Sequence, residues 1–278
     1  MTDVAEEWAR RLASASDVYP ASDLYGGRGF QEAILAADIL DGDLLVASAG
    51  LGLVEAQAKI PAYACTILTD AKDSIVARMP RPFAATEWWG VLASVSPHHQ
   101  GLAKIIRRST GLICAALSDS YLDMLSADLE ALPQGAVDRL RIFTRASLDK
   151  VAAGLRPFVM PYDDRLDGPD SSVRGTRGDF AGRALRHFAE HIATKGDQRS
   201  AAEHAGAVLA ALRGWEMPPR FDRHRLDDAA ILDVIRSRWE AERGSSTRLL
   251  RHLRDERGVA CEQGRFAALA RQVRAERA

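Results

Sequence analysis

Three stretches of the chain hold residue types that can do chemistry. The first is Ala21 to Phe30, ASDLYGGRGF. Gly26, Gly27 and Gly29 let a ligand approach the backbone closely, and Arg28 among them offers an anion-binding group, with Tyr25 beside it as a binding surface. Asp23 is either a catalytic carboxylate or a cap for the turn around Tyr25, capping being the commoner fate of an aspartate there. The second stretch is Leu44 to Thr66, in which an apolar run ends at Ser48, followed by Gly50, Gly52 and Glu55. Side chains just past the carboxyl end of a buried parallel strand line the usual ligand crevice. That expectation makes Ser48 and Glu55 pocket residues and Tyr63 a stacking wall. The alternative for Glu55 is an ion pair with Lys59, four residues on.

The third stretch, Tyr162 to Gly178, is YDDRLDGPDSSVRGTRG and cannot form a core. Its clustered carboxylates, Asp163, Asp164, Asp167 and Asp170, suit binding a metal, activating water or stabilising a cationic intermediate. The lack of an accompanying histidine argues against a transition metal. Arg174, Thr176 and Arg177 precede a helix start, where guanidinium groups and free backbone amides suit phosphate. A solvated surface loop is the plain alternative for the aspartates. Several chemistries are excluded. No Lys-Ser or Lys-Thr follows the glycines, so the first stretch is no Walker A loop, and its spacing is wrong for a dinucleotide fingerprint. Cys65, Cys114 and Cys261 lie far apart without ligand spacing, and no acid sits between His187 and His191 in a zincin pattern, so neither a metal nor an organic cofactor is expected.

These residues need a scaffold, and periodicity supplies one. Residues 43–49, 111–116 and 140–144 read as buried strands, with 158–161 resembling a fourth. Helical periodicity runs over 4–16, 30–39, 71–77, 83–94, 118–132, 179–193 and 200–212. The expected fold class is α/β, a layered body with a mostly parallel central sheet over residues 1–213. A linker follows over 214–226, marked by Pro218-Pro219. Residues 227–278 read as three short helices at 227–239, 246–256 and 262–276, joined like a helix-turn-helix, with Gln263, Arg265, Arg271 and Arg274 facing outward. The alternative is a small packing module.

The chain has 278 residues and a net charge of −1, but residues 1–219 carry −5 and residues 220–278 carry +4, with 14 Arg and no Lys. A basic end on an acidic body suits an appended nucleic-acid reader, and arginine-rich composition alone produces the same imbalance. No apolar stretch reaches the roughly 18 residues a membrane helix requires. Glu6, Glu7, Arg10 and Arg11 interrupt any leader, so a cytoplasmic protein is expected.

Residues 21–67 resemble the YaaA-like group of α/β domains. The matching residues are Asp23, Leu24 and Tyr25, then Ser48 and Ala49, then Gly52, Leu53 and Val54, then Ile60, Pro61 and Tyr63. The Cys and Lys residues that open many members are absent before Asp23. The resemblance implies a core distantly similar to the uracil-DNA glycosylase fold, without that fold's Gly-Gln-Asp-Pro-Tyr motif. The whole arrangement is similar to phage-defence DNA glycosylases that excise glucosylated hydroxymethylcytosine. The implied activity is cleavage of an N-glycosidic bond in duplex DNA carrying modified bases. Asp23, Glu55 and Ser48 would be catalytic, while Tyr25, Arg28, Tyr63, Asp163 and Asp164 would hold the flipped nucleotide. Arg174, Thr176, Arg177, Gln263, Arg265 and Arg271 would hold DNA. The competing reading is a non-catalytic DNA-binding regulator or sensor of a nucleotide-like ligand.

Overall fold

The computed structural model describes the chain apart from Asp70, Pro80, residues 220–222 and Ala278. It divides into two units, Met1–Pro218 and Pro219–Ala278. Part of the expected 214–226 linker, residues 220–222, lies outside the described residues. In chain order the first unit runs α1 (Thr2–Ala13), β1 (Val18–Pro20), α2 (Ala21–Leu24), α3 (Arg28–Leu40), β2 (Leu45–Ser48), β3 (Gly52–Glu55) and β4 (Lys59–Pro61). It continues with α4 (Ala85–Val95), α5 (Leu102–Ile106), β5 (Ile113–Ala116), α6 (Asp119–Glu130), α7 (Gln134–Val137), β6 (Leu140–Phe143), α8 (Phe180–His191) and α9 (Ala201–Ala211).

The layering follows from alternation along β5 and β6, which pair in parallel. Leu140, Ile142, Ile113 and Ala115 face a core with Trp88, Leu92, Leu122 and Leu129 of α4 and α6. Phe143, Cys114 and Ala116 face the other way, into Phe180, Ala184, Phe188 and Val208 of α8 and α9. Successive side chains of a strand point to opposite faces, so two short strands suffice to separate two helical layers.

The expected single, mostly parallel sheet is not what forms. The first unit holds three separate two-stranded ladders, and β1–β4 and β2–β3 are antiparallel. Gly52, at φ +83°, supplies the left-handed residue that closes a three-residue hairpin loop after Ser48. The chain therefore turns straight back on β2 instead of entering a crevice loop. Of the expected strand at 158–161, only Val159 makes a bridge, to Ile142. The expected helix at 71–77 is a run of turns, with one 3-10 turn at Val76–Arg78.

Helices α3 and α8 lie side by side and parallel. A Cβ on Gly182 would overlap the carbonyl oxygen of Gly29, so the close approach requires glycine at 182. Further along, Arg186 holds Glu32 at 2.9 Å and Lys195 holds Asp41.

The second unit contains β7 (His224–Arg225), α10 (Asp228–Arg238), α11 (Ser246–Arg251), β8 (Val259–Ala260) and α12 (Gln263–Glu276). A π-helical turn, His252–Glu256, extends α11. Ile231, Ile235, Leu253, Phe266 and Val273 form its core. The expected turn between the last two helices contains β8, which pairs in parallel with β7. The unit is thus a cluster of helices with one short ladder.

Candidate functional site

The β2–β3 hairpin turns Ser48 toward a small cluster that contains Val46, Leu51, Val54, Tyr25 and Tyr63. Ser48 Oγ accepts the amides of Gly50 and Leu51, each at 3.1 Å. Two such bonds occupy both lone pairs of a hydroxyl. The Ser48 proton is therefore directed to the Tyr63 oxygen, 2.5 Å away. Tyr63 in turn shares a hydrogen bond with Tyr25, whose hydroxyl ends the chain. Burial, then the neighbouring Tyr25 phenol, pushes the Tyr63 hydroxyl far above its ordinary value, so it stays protonated.

The turn beneath this chain is held rigid. Trp8 Nε1 donates to the Gly50 carbonyl at 2.6 Å and Trp88 Nε1 to the Ala49 carbonyl at 2.8 Å. His99 Nδ1 accepts the Leu53 amide at 3.1 Å, so this histidine serves the hairpin. Burial holds its pKa below the usual value, in keeping with an unprotonated acceptor nitrogen.

Directly after Tyr25 the backbone is open. A Cβ on Gly26 or Gly27 would meet nothing within 4 Å, and neither glycine has positive φ. Nothing in the fold requires glycine at either position. Gly27 caps α3 without a side-chain bond, and the Arg28 and Gly29 amides have no acceptor among the described residues. An uncapped helix start with exposed amides is an anion-binding arrangement.

The 162–179 loop packs against this helix start and is organised by Arg183, which is fully buried. Its five N–H donors reach Asp179 (2.5 Å), Asp167 (2.7 Å) and the carbonyls of Thr176 (2.8 Å), Val173 (3.0 Å) and Leu166 (3.2 Å). Arg183 was invisible to pattern reading because an arginine on a helix normally reads as solvated. The available signal was its i, i+4 spacing from Asp179 on an otherwise apolar face. Burial opposes the charge of Asp179, but the Thr176 amide, Arg183 and the Thr176 hydroxyl together hold its pKa below the usual range.

Several expected site residues take other roles here. Thr176 forms a capping box with Asp179, so its amide and hydroxyl are already engaged. Asp164 pairs with Arg145 at 2.5 Å, and Asp163 is gripped by Arg165 at 2.9 Å. Burial opposes the charge of Asp163, while Arg165 holds its pKa below the usual carboxylate range. Arg28 bonds the Arg174 carbonyl and lies 3.6 Å from Asp179 and 3.5 Å from Glu32. Arg174 reaches the Pro169 carbonyl, while Arg177 is exposed with no side-chain partner among the described residues.

Ser48 and Glu55 do not share a pocket. Hairpin register sets Ser48 opposite Gly52 and Glu55 opposite Leu45, at the other end of β2. Three residues of strand, about 10 Å, separate the two ends. Glu55 instead lines a cavity of about 390 Å³ with Ser22, Asp38 and Asp43. Asp23, next to Ser22, is exposed and accepts the Ser22 hydroxyl at 3.3 Å. The structure thus groups Tyr25, Tyr63 and Ser48 with the glycine turn, and sets Glu55 apart from them.

In the second unit Arg265 does not face outward as expected. It pairs with Asp228 at 2.6 Å and bonds the Leu226 carbonyl, tying α12 to α10. Arg274 bonds the Gly244 carbonyl and lies over the Trp239 ring. Gln263 and Arg271 are exposed, without side-chain partners among the described residues.

Among the described residues no group of three or more His, Cys, Asp or Glu is arranged to hold a metal ion, and no helix is long and apolar enough to cross a membrane. No protein-family model, curated protein or solved structure matches the chain.

Proposed function

We propose that the chain is a DNA glycosylase that removes a modified base, such as glucosylated hydroxymethylcytosine, from phage DNA and leaves an abasic site. One observation carries this reading: a chain of hydroxyls from Ser48 through Tyr63 ends at Tyr25, beside the open Gly26-Gly27 turn and the uncapped start of α3. The resemblance of residues 21–67 to the YaaA-like group supports it. A phosphodiester would lie on the α3 amides with Arg177 and Arg174 at its flank, and a flipped base would meet Tyr25 and Tyr63. When the C1′–N bond breaks, both electrons leave with the base. A fixed hydroxyl donor stabilises that developing negative charge without reorganising. Water then bonds C1′ and gives up a proton, and the base takes one. Asp23, exposed in α2 and close in sequence to Tyr25, is the carboxylate assigned in this reading to steady the cationic sugar or orient the water.

The test is single-turnover abasic-site formation on phage DNA carrying glucosylated hydroxymethylcytosine, against unmodified DNA. The wild-type chain cleaves only the modified DNA, and D23N and Y25F each lose about 10²-fold in rate while retaining binding. Absence of abasic sites with wild type overturns the reading. Among the described residues no carboxylate hydrogen-bonds to the hydroxyl chain, which favours one competitor, a body that holds a nucleotide-like ligand without cleaving it. That sensor would bind modified DNA and form no abasic sites.

A further inference from the structure

The second unit contains a cavity of about 400 Å³ between α11 and α12, lined by Ser246, Thr247, Arg251 and Gln263 above a floor that includes Leu250 and Phe266. Its charges sort into two groups. Arg236, Arg238, Arg265 and Arg277 are each held by a carboxylate of the same unit. Arg254 is bonded to the Cys261 carbonyl, and Asp255 in the lining is paired with Arg223 at 2.9 Å. Arg225, Arg243, Arg248, Arg251, Arg257 and Arg271 are exposed with no side-chain partner among the described residues, and of these Arg251 lines the cavity while Arg271 continues the face of Gln263. Gln263, Ala267 and Arg271 stand four residues apart on α12 and share one face. They extend the lining along the helix for about 12 Å.

We infer that this groove is a docking surface for duplex DNA, with Arg251 and Arg271 on phosphates and Gln263 at a base edge. The inference rests on the preceding reading only in taking DNA as the partner. Residues 220–278 carry a net +4, and two of the unit's unpartnered guanidinium groups, Arg251 and Arg271, border this face. Extent adds to charge. A stripe running along a helix matches the edge of a groove about 12 Å wide, whereas a single free phosphate would engage one arginine. Among the described residues every exposed large hydrophobic residue lies between Val4 and Met217, so those of this unit offer no such anchor for another protein, which favours DNA.

The experiment is fluorescence anisotropy of the full chain with an unmodified DNA duplex, from 50 to 300 mM salt, with abasic-site formation on modified DNA measured in the same preparations. R251A/R271A should weaken binding at least tenfold and reduce the slope of log Kd against log salt by about 2, since each lost phosphate contact removes about 0.9. R251K/R271K, which keeps the charges, should bind like wild type and shows that loss in the alanine pair is electrostatic. R236A, at an arginine already paired with Glu276, should leave the slope unchanged. Q263A should alter preference among duplex sequences about tenfold without moving the slope. An unchanged slope in R251A/R271A overturns the inference, as does failure of the wild type to bind any duplex, or competition by an acidic peptide as strong as by DNA. If the slope falls while no abasic sites form with wild type, the groove stands and the glycosylase reading falls. If abasic sites form and the slope does not move, the reverse holds.

Discussion

Two strings of hydrogen-bonded side chains run through the body, and they end differently. From Asp197 through His204 to Arg141 the string closes on itself. His204 Nε2 bonds Asp197 at 3.1 Å, and Arg141 Nε donates to His204 Nδ1 at 2.8 Å. The rest of the Arg141 guanidinium is taken up by the carbonyls of Asp138, Leu140 and Arg199. From Ser48 through Tyr63 to Tyr25 the string has one fixed end and one open end. A polar network buried at every member can only hold the fold. One whose last hydroxyl stands beside open backbone can also meet a ligand. Residue type does not separate the two; burial does.

The contrast breaks first at Arg141. R141M leaves His204 and three carbonyls without a donor at a position of zero exposure. It should cost about 3 kcal/mol or more in urea unfolding, as truncating one partner of a buried charged network does. An unfolding midpoint equal to wild type would show that the closed string contributes no stability. At the open string the expectation inverts. Y25F should leave stability within about 0.5 kcal/mol, while abasic-site formation falls about 10²-fold. A stability loss in Y25F comparable to R141M would make both strings structural.

Acid should weaken the closed side next. Burial holds His204 below the ordinary histidine value, and burial with His191 nearby pushes His187 down to about 4. Both bind protons more tightly when unfolded, so their stability contribution is complete above the unfolded value of about 6.5 and lost as pH falls toward 4. The urea midpoint should therefore decline steadily between pH 7 and pH 4. Asp197, held far below the usual range by Arg199 first and His204 after it, adds its loss only below about pH 4. A midpoint that stays flat from pH 7 to 4.5 would rule out neutral, buried histidines. The smallest effect belongs to R174A/R177A. It should weaken modified and unmodified duplex alike and lower the salt slope by up to about 2. An unchanged slope would place that loop away from DNA.

Much of the scaffold was legible from periodicity. Strands read at 43–49, 111–116 and 140–144 correspond to β2, β5 and β6, and the second unit's helices follow the expected ranges closely. What misled was Gly50-Leu51-Gly52. An apolar run ending in glycines reads equally as a strand entering a crevice or as a hairpin, and only the return pairing of β3 decides it. That one ambiguity moved Glu55 from the mouth of a pocket to the far end of a ladder. The site suffered more than the fold for a related reason. Ser48, Tyr25 and Tyr63 were legible as residue types, but their shared hydrogen bonds depend on which face of β2 each meets. Arg141 in LRIF and Arg183 in FAGRALRHF were unreadable as organisers, since neither spacing reveals that an arginine spends its donors indoors.

The close approach of Gly29 to Gly182 has a mechanical consequence. With those two backbones in contact and Glu32–Arg186 and Asp41–Lys195 bonded further along, α3 and α8 have no room to slide past one another. They form a single two-stemmed spar, and α3 alone, at 13 residues, is about 20 Å long. Arg183 is riveted to one stem and to the 162–179 loop at once. The Gly26-Gly27 turn, at the start of α3, thus stands on the same rigid spar as the 162–179 loop.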